Sequence, residues 1–331
     1  MTEKIRVSVP EATALLLKKD CADFKVAKTD GTPNMNAFIN TLLISFYEEF
    51  AGAEEKMHDE IRRAVAHVPE YYRETAFLNI VKVFTHRAAL SDGSARTVIL
   101  SFKPTRQTEK ATLYIEKILL QNESLSSFYR RLFLAYAQKT KTEREKIIHK
   151  ENYLLLQKAI KKGVRSCIAL QSGDVIKSAS IHTVGAAKDE LFNYVLIYNG
   201  RQNMTLRLAT IRSVSLLPEA SEIPAENAAL FDRQAACAIQ YPMYSSDREP
   251  IRVQLSEKGK KLFQKIYLYR PTPVQTEGDV YTFDCSANQT QYYFERFGDS
   301  AVILSPKKLG IFMRNYYYFA YKKYKERYPR N

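Results

Sequence analysis

Between Arg165 and Arg212 the sequence supplies an aromatic ring and a set of cations whose types suit one chemistry: Arg165, His182, Tyr194, Arg201, Arg207 and Arg212. A guanidinium forks onto two phosphate oxygens, and a tyrosine face stacks on a base or on a guanidinium. Alternation along extended backbone puts Arg207 with Thr205 on one face and Leu206 with Leu208 on the other. Tyr194, Leu196 and Tyr198 likewise share a face. Arg165, His182, Arg201 and Arg212 could join them from adjacent strands and turns. The competing reading is structural, with Tyr194 in the core and the arginines on a solvated edge.

A second set lies in the N-terminal third. Lys4, Arg6 and Ser8 point one way from a short strand, while Ile5, Val7 and Val9 point the other. Asn34, Asn36, Ser124 and Ser126 stand at the starts of two helices, where unpaired N–H groups and the helix dipole seat phosphates. A third set closes the chain: Tyr316, Tyr317, Tyr318, Phe319, Tyr321, Tyr324 and Tyr328 alternate with Arg314, Lys322, Lys323, Lys325 and Arg327. Aromatics among cations serve single-stranded nucleic acid. Tyrosine-rich faces also serve protein interfaces, and the reading preferred for this helix is a homodimer seam with its cations outward. Catalysis finds no support. There is no GxxxxGK[ST], GxGxxG or HExxH, the five histidines lack ligand spacing, and no Ser or Cys sits in a nucleophile context. No catalytic residue, metal or cofactor is assigned.

Composition sets the class of partner. The 331 residues carry 50 Lys+Arg against 36 Asp+Glu, a formal charge of +14, which favours a polyanion, nucleic acid before a membrane surface. The cations cluster: Arg130 to Arg165 holds eleven Lys/Arg against three Glu, and Ser300 to Asn331 holds eight against Glu326 alone. Cys21, Cys167, Cys237 and Cys285 show no paired spacing and suit a reducing compartment. No apolar run approaches the ~20 residues of a membrane span and no signal peptide is legible, so the expected location is the cytoplasm.

Three regions must position these residues. Residues 1–150 contain one pattern twice: a short alternating strand, a helix, then a capped amphipathic helix. Ile5–Val9 leads to the helix at Asn34–Phe38, and Val98–Phe102 leads to the helix at Ser124–Phe128. The second helices align without a gap at an offset of 90, matching Phe38 with Phe128, Leu42 with Leu132, Leu43 with Phe133 and Phe46 with Tyr136. One strand and two helices cannot bury their own apolar faces, so the copies should pair as a ribbon-helix-helix-like pseudo-dimer within one chain. Residues 54–90 read as a helical bridge and Ser91–Ser94 as a loop; a basic helical connector reaches Lys162. In residues 151–219 the period becomes two, and Arg165–Leu170, Val175–Val184, Phe192–Tyr198 and Met204–Leu217 read as strands of a small SH3- or Sm-like β-barrel. Pro218–Glu226 reads as a linker, and residues 220–331 as an α+β domain with strands at Ile251–Leu255, Val280–Cys285 and Ala301–Leu304. The fold class is α+β multidomain.

The last two regions resemble the WYL-domain family, whose marks are a Trp-Tyr-Leu strand and a Phe-Arg-Leu strand running into Arg-Ile. Here these stand as Asn193-Tyr194-Val195 and Leu206-Arg207-Leu208-Ala209-Thr210-Ile211, with Phe297-Gly298 and Leu304-Ser305-Pro306 matching the extension that follows such barrels. Asn193 replaces Trp, and Thr210 replaces Arg with Arg212 two residues on. The resemblance implies a ligand or nucleic-acid sensor built around Tyr194 and Arg207. A ribbon-helix-helix front end is similar to the WYL accessory proteins found beside type VI-D CRISPR systems, which implies a partner that is an RNA-guided RNA nuclease. The expected function is a non-catalytic, homodimeric regulator binding single-stranded RNA ahead of DNA; the rival is a ligand-responsive DNA-binding transcription factor.

Overall fold

Strand β1 (Ile5–Pro10) pairs antiparallel with β2 (Thr97–Phe102), placing Arg6 opposite Ser101, Val7 opposite Leu100 and Ser8 opposite Ile99. A computed structural model of the chain describes residues 3–90, 96–120, 123–244, 247 and 249–328, with 84–90 in backbone only. The loop expected at Ser91–Ser94 lies outside the described residues. The chain divides into two compact units, Met1–Glu151 and Asn152–Asn331.

In the first unit each strand of the ribbon leads to two helices. β1 is followed by α1 (Glu11–Asp23) and α2 (Met35–Ala64); α3 (Glu70–Leu90) precedes β2, which is followed by α4 (Arg106–Tyr114) and α5 (Leu125–Gln138). Val7, Val9, Leu100 and Phe102 turn inward, as the period-two pattern requires. The residues matched between the copies, Phe38 and Phe128, Leu42 and Leu132, Leu43 and Phe133, Phe46 and Tyr136, are all buried. Their rings meet edge to face, Phe50 with Phe128 at 5.4 Å and Phe38 with Tyr136 at 6.3 Å. α2 outruns its counterpart α5, and its second half packs on α3 through Ile61, Val65 and Phe77, forming the bridge between copies. Helix α6 (Lys141–Ile148), opened by a capping box between Thr140 and Glu143, closes this unit, and α7 (Lys150–Lys162), which belongs to the second unit from Asn152 on, ends at Gly163 with φ 61°.

The second unit holds two antiparallel sheets. β3 (Val164–Leu170), β4 (Val175–Ala186), β5 (Asn193–Tyr198), β6 (Asn203–Arg207) and β7 (Ile211–Ala220) are ordered β6-β5-β4-β3-β7. The strand expected over Met204–Leu217 is broken by a 3-10 turn at Leu208–Thr210, where Thr210 Oγ1 donates back to the Arg207 carbonyl. That break lets β7 cross and lie beside β3. The edge strands β6 and β7 are not paired with each other, so the expected barrel is an open, curled sheet. The curl shows in the core, where Leu206 of β6 and Val214 of β7 share a cluster with Ile168, Val195 and Leu156 of α7.

The stretch expected as a linker shortens to residues 221–224, its two ends belonging to a strand and a helix. β7 runs to Ala220, and α8 (Ala225–Cys237) follows directly and covers the outer face of the sheet with Phe231. The C-terminal sheet contains β8 (Ile251–Leu255), β9 (Pro273–Glu277), β10 (Val280–Phe283) and β11 (Ala301–Ser305) in the order β11-β8-β10-β9; β9 was not legible in advance. Helices α9 (Glu257–Lys265), α10 (Ala287–Phe294) and α11 (Lys307–Arg327) complete it, around Phe263, Phe283, Tyr293 and Phe294. Gly259 in α9 is a close-approach position, because a Cβ there would collide with the Ser300 carbonyl oxygen. Gly→Ala inside a helix normally stabilises by up to about 1 kcal/mol. At Gly259 the sign reverses, and we expect Gly259→Ala to cost about 1–3 kcal/mol, read by chemical denaturation.

Candidate nucleic-acid interface

The sheet places Tyr194 and Arg207 side by side, as directly opposed residues of β5 and β6. Parity holds: Tyr194, Leu196 and Tyr198 face α8, while Val195 and Ile197 face the curled core. The surroundings are not those of an anion pocket. The Tyr194 hydroxyl donates to the Glu190 carboxylate, and Asp189 accepts from the Tyr269 backbone at 3.1 Å. Carboxylates therefore stand where the WYL resemblance seats an anion. The Arg207 guanidinium lies 3.3 Å from the Phe192 ring centroid, a cation–π contact that fixes its plane. Burial pushes the neighbouring Tyr241 phenol well above its ordinary value, with Tyr292 and Glu190 adding to the effect.

The other pocket candidates are dispersed. Arg201 sits in the turn before β6 and Arg207 at the end of that strand. Arg165 follows Val164, which pairs with Ala220 at the end of β7, whereas Arg212 stands at its start, on the order of 20 Å away. Arg165 donates to the Ala220 carbonyl at 3.0 Å and to Glu222 at 3.3 Å. His182 meets Asp232 of α8 at 2.9 Å and stacks on Phe231. Arg201 and Arg212 are exposed. The expected convergence of these six residues is thus replaced by one pair, Tyr194–Arg207, and four separate positions.

The ribbon presents Lys4, Arg6, Ser8, Thr97, Ile99 and Ser101 to solvent. Asn34 and Ser124 cap α2 and α5 by accepting from Ala37 N–H at 3.0 Å and Ser127 N–H at 3.2 Å. Asn36 and Ser126, which occupy equivalent positions, are engaged with the opposite copy's strand: Asn36 Oδ1 accepts from Lys103 N–H at 2.7 Å, and Ser126 Oγ donates to the Arg6 carbonyl at 3.2 Å. Both helix N-termini thereby abut the ribbon, with the capping residues as phosphate-side candidates and Asn36 and Ser126 as braces.

Part of the basic stretch from Arg130 to Arg165 is internal bracing. Arg131 pairs with Glu54 and Glu123, Lys139 with Glu49 at 3.0 Å, Lys141 with Asp23 at 2.8 Å and Arg144 with Asp20 at 2.6 Å. Sequence clustering of cations translates there only in part into an open positive surface, at the exposed Lys158, Lys161 and Lys162. On α11 it does: every residue from Tyr318 to Tyr328 is exposed.

No protein-family model matches this chain, and no curated protein matches it. Among solved structures it is similar to one described as the crystal structure of a CRISPR Cas-related protein, with 16% identity, a TM-score of 0.63, and coverage of 99% of this chain and 95% of that one. The two share a fold. A second match, proteasome accessory factor B/C of Arthrobacter aurescens, has a TM-score of 0.24 over 66% of this chain and 37% of that one.

Three participants escaped the sequence reading. Phe192, quoted only as part of a strand, is the ring under Arg207. Glu190 lies in a turn and Asp232 on an unforeseen helix, and nothing in their spacing ties them to Tyr194 or His182. Among the described residues no helix is long and apolar enough to cross a membrane.

Proposed function

We propose that this chain is a non-catalytic regulator that binds nucleic acid, single-stranded RNA ahead of duplex DNA, and modulates a CRISPR RNA-guided RNA nuclease in the cytoplasm. The observation that carries this reading is the fold shared along 99% of the chain with a CRISPR Cas-related protein. The formal charge of +14 supplies the long-range attraction. In this reading residues 1–150 are a ribbon-helix-helix-like pseudo-dimer, supported by the β1–β2 pairing and the helix pair behind each strand. Residues 151–219 are a WYL domain of SH3/Sm-like type, supported by a meander whose last strand returns beside its first. Residues 220–331 are its extension, the working form is a homodimer, and no cofactor is needed.

The test is binding of single-stranded RNA and duplex DNA across a salt series. A phosphate-driven RNA binder loses on the order of a thousandfold in affinity between about 50 and 200 mM salt, and adding the protein should change RNA cleavage by the nuclease. The ribbon favours a second reading, a transcription factor, because Lys4, Arg6 and Ser8 face outward between two helix N-termini. Tight, sequence-dependent duplex binding abolished by Arg6→Ala would establish that reading. Binding of neither polymer at low salt would leave a protein adaptor.

A further inference from the structure

The last helix carries surface that its own unit leaves uncovered. α11 is anchored by Leu309 and Met313, both buried, and by the Tyr317 hydroxyl, which donates to the Phe294 and Glu295 carbonyls at 3.2 and 3.1 Å. These anchors are spaced by four, one face of a helix. Beyond Tyr317 no residue is buried through Tyr328, a length of about 16 Å at 1.5 Å per residue. Tyr318, Phe319, Tyr321, Tyr324 and Tyr328 are between 57% and 70% exposed there. Lys322, Lys323, Lys325 and Arg327 lie among them, with Glu326 the single opposing charge in the segment. Glu326 reaches Lys323 at 3.9 Å with both groups in solvent, which offsets little of the positive potential.

The pattern selects an occupant. At about 100° per residue, Tyr318 and Phe319 point away from the face shared by Tyr321, Tyr324 and Tyr328, so the rings are not confined to one seam. The face that holds Tyr321, Tyr324 and Tyr328 is flanked by Lys325 on one side and Arg327 on the other. A second copy laid on it would bring like charges together, whereas a polyanion neutralises them. A duplex hides the faces of its bases; an unpaired strand offers them for stacking. We infer that the solvent-facing half of α11 holds a single-stranded nucleic acid, with bases stacked on Tyr321, Tyr324 and Tyr328 and phosphates on Lys322, Lys325 and Arg327. This rests on the reading that the chain binds single-stranded RNA and names where the strand lies.

The experiment uses the full chain and fluorescein-labelled oligouridine, followed by anisotropy over a salt series, with light scattering for oligomeric state. All six side chains are exposed, so their replacement leaves the fold intact. The triple change Tyr321→Ala, Tyr324→Ala and Tyr328→Ala weakens binding by about tenfold or more with an unchanged salt slope. The triple change Lys322→Gln, Lys325→Gln and Arg327→Gln flattens the slope of log K against log salt by about 2. Native affinity in both variants, with the native chain binding RNA, overturns the inference and leaves the proposed function standing. No binding by the native chain overturns both. Loss of a dimer, or of binding to phosphatidylserine vesicles, with RNA affinity unchanged also overturns the inference, since the helix would then be a self-interface or a membrane contact.

Discussion

Asp20→Ala is expected to destabilise the Met1–Glu151 unit by about 3–5 kcal/mol, the range for leaving a buried charge without its partner. Asp20 is 1% exposed and Arg144 9%. The carboxylate accepts from Arg144 Nε at 2.6 Å, from Arg144 Nη2 at 3.3 Å and from the Tyr136 hydroxyl at 3.0 Å. Arg144 Nη1 goes to the Lys139 carbonyl at 2.6 Å, so the guanidinium is held at the C-terminal end of α5. One ion pair thus ties α1 to α5 and α6, whose bonding residues lie 116 and 124 positions further along the chain. Burial, reinforced by the Asp20 carboxylate, pushes the Tyr136 phenol far above its ordinary value, which keeps it a donor. Removing the carboxylate strands a cation and a phenol together. The measurement is urea unfolding of the full chain followed by circular dichroism. Asp20→Leu combined with Arg144→Leu should recover most of the loss, because neither charge is then buried alone. A single-variant loss under about 1 kcal/mol, ordinary for an exposed pair, would show that water reaches the site.

Phe231→Ala is expected to cost the Asn152–Asn331 unit about 3–5 kcal/mol, the usual range for truncating a buried phenylalanine. Phe231 is fully buried against Leu196, Ala187 and Ile239, and it is the main apolar contact by which α8 covers the outer face of the curled sheet. Its removal opens a cavity beside Tyr194 and Tyr198 and loosens the backing of the Tyr194–Arg207 pair. Asp232→Ala is the contrasting control, because it removes the polar contact and leaves the His182 ring stacked on Phe231. Asp232 is 73% exposed, and a contact so open to solvent contributes less than about 1 kcal/mol. Equal losses from the two changes, read by the same denaturation, would mean that α8 is held by the polar contact and not by its apolar face.

The repeat in residues 1–150 was legible because burial imposes a period. Val7 and Val9 must alternate with Arg6 and Ser8, and Phe38, Leu42 and Phe46 must recur at helical spacing, so the offset of 90 exposed two equivalent helices and required a partner for each strand. Capping was legible for the same local reason at Asn34 and Ser124, each of which bonds an N–H three residues on, whereas the break at Thr140, which caps α6, was not. α8 was not legible, because Pro218–Glu226 has the composition of a linker and the apolar face that follows takes its meaning only from the sheet beneath it.

Charge marks the boundary between what sequence determined and what folding decided. Sequence set the surplus of cations and placed two clusters along the chain. It could not say which cations meet carboxylates, since Arg131 finds Glu54 and Arg144 finds Asp20 only when distant helices pack. Tertiary structure therefore turned Arg131, Lys139, Lys141 and Arg144 of the first cluster into bracing, placed carboxylates beside Tyr194, and left the cations of α11 in solvent among exposed rings. The physical reason is range: periodicity and capping act over a few residues of one chain segment, whereas neutralisation depends on which segments the fold brings within about 4 Å.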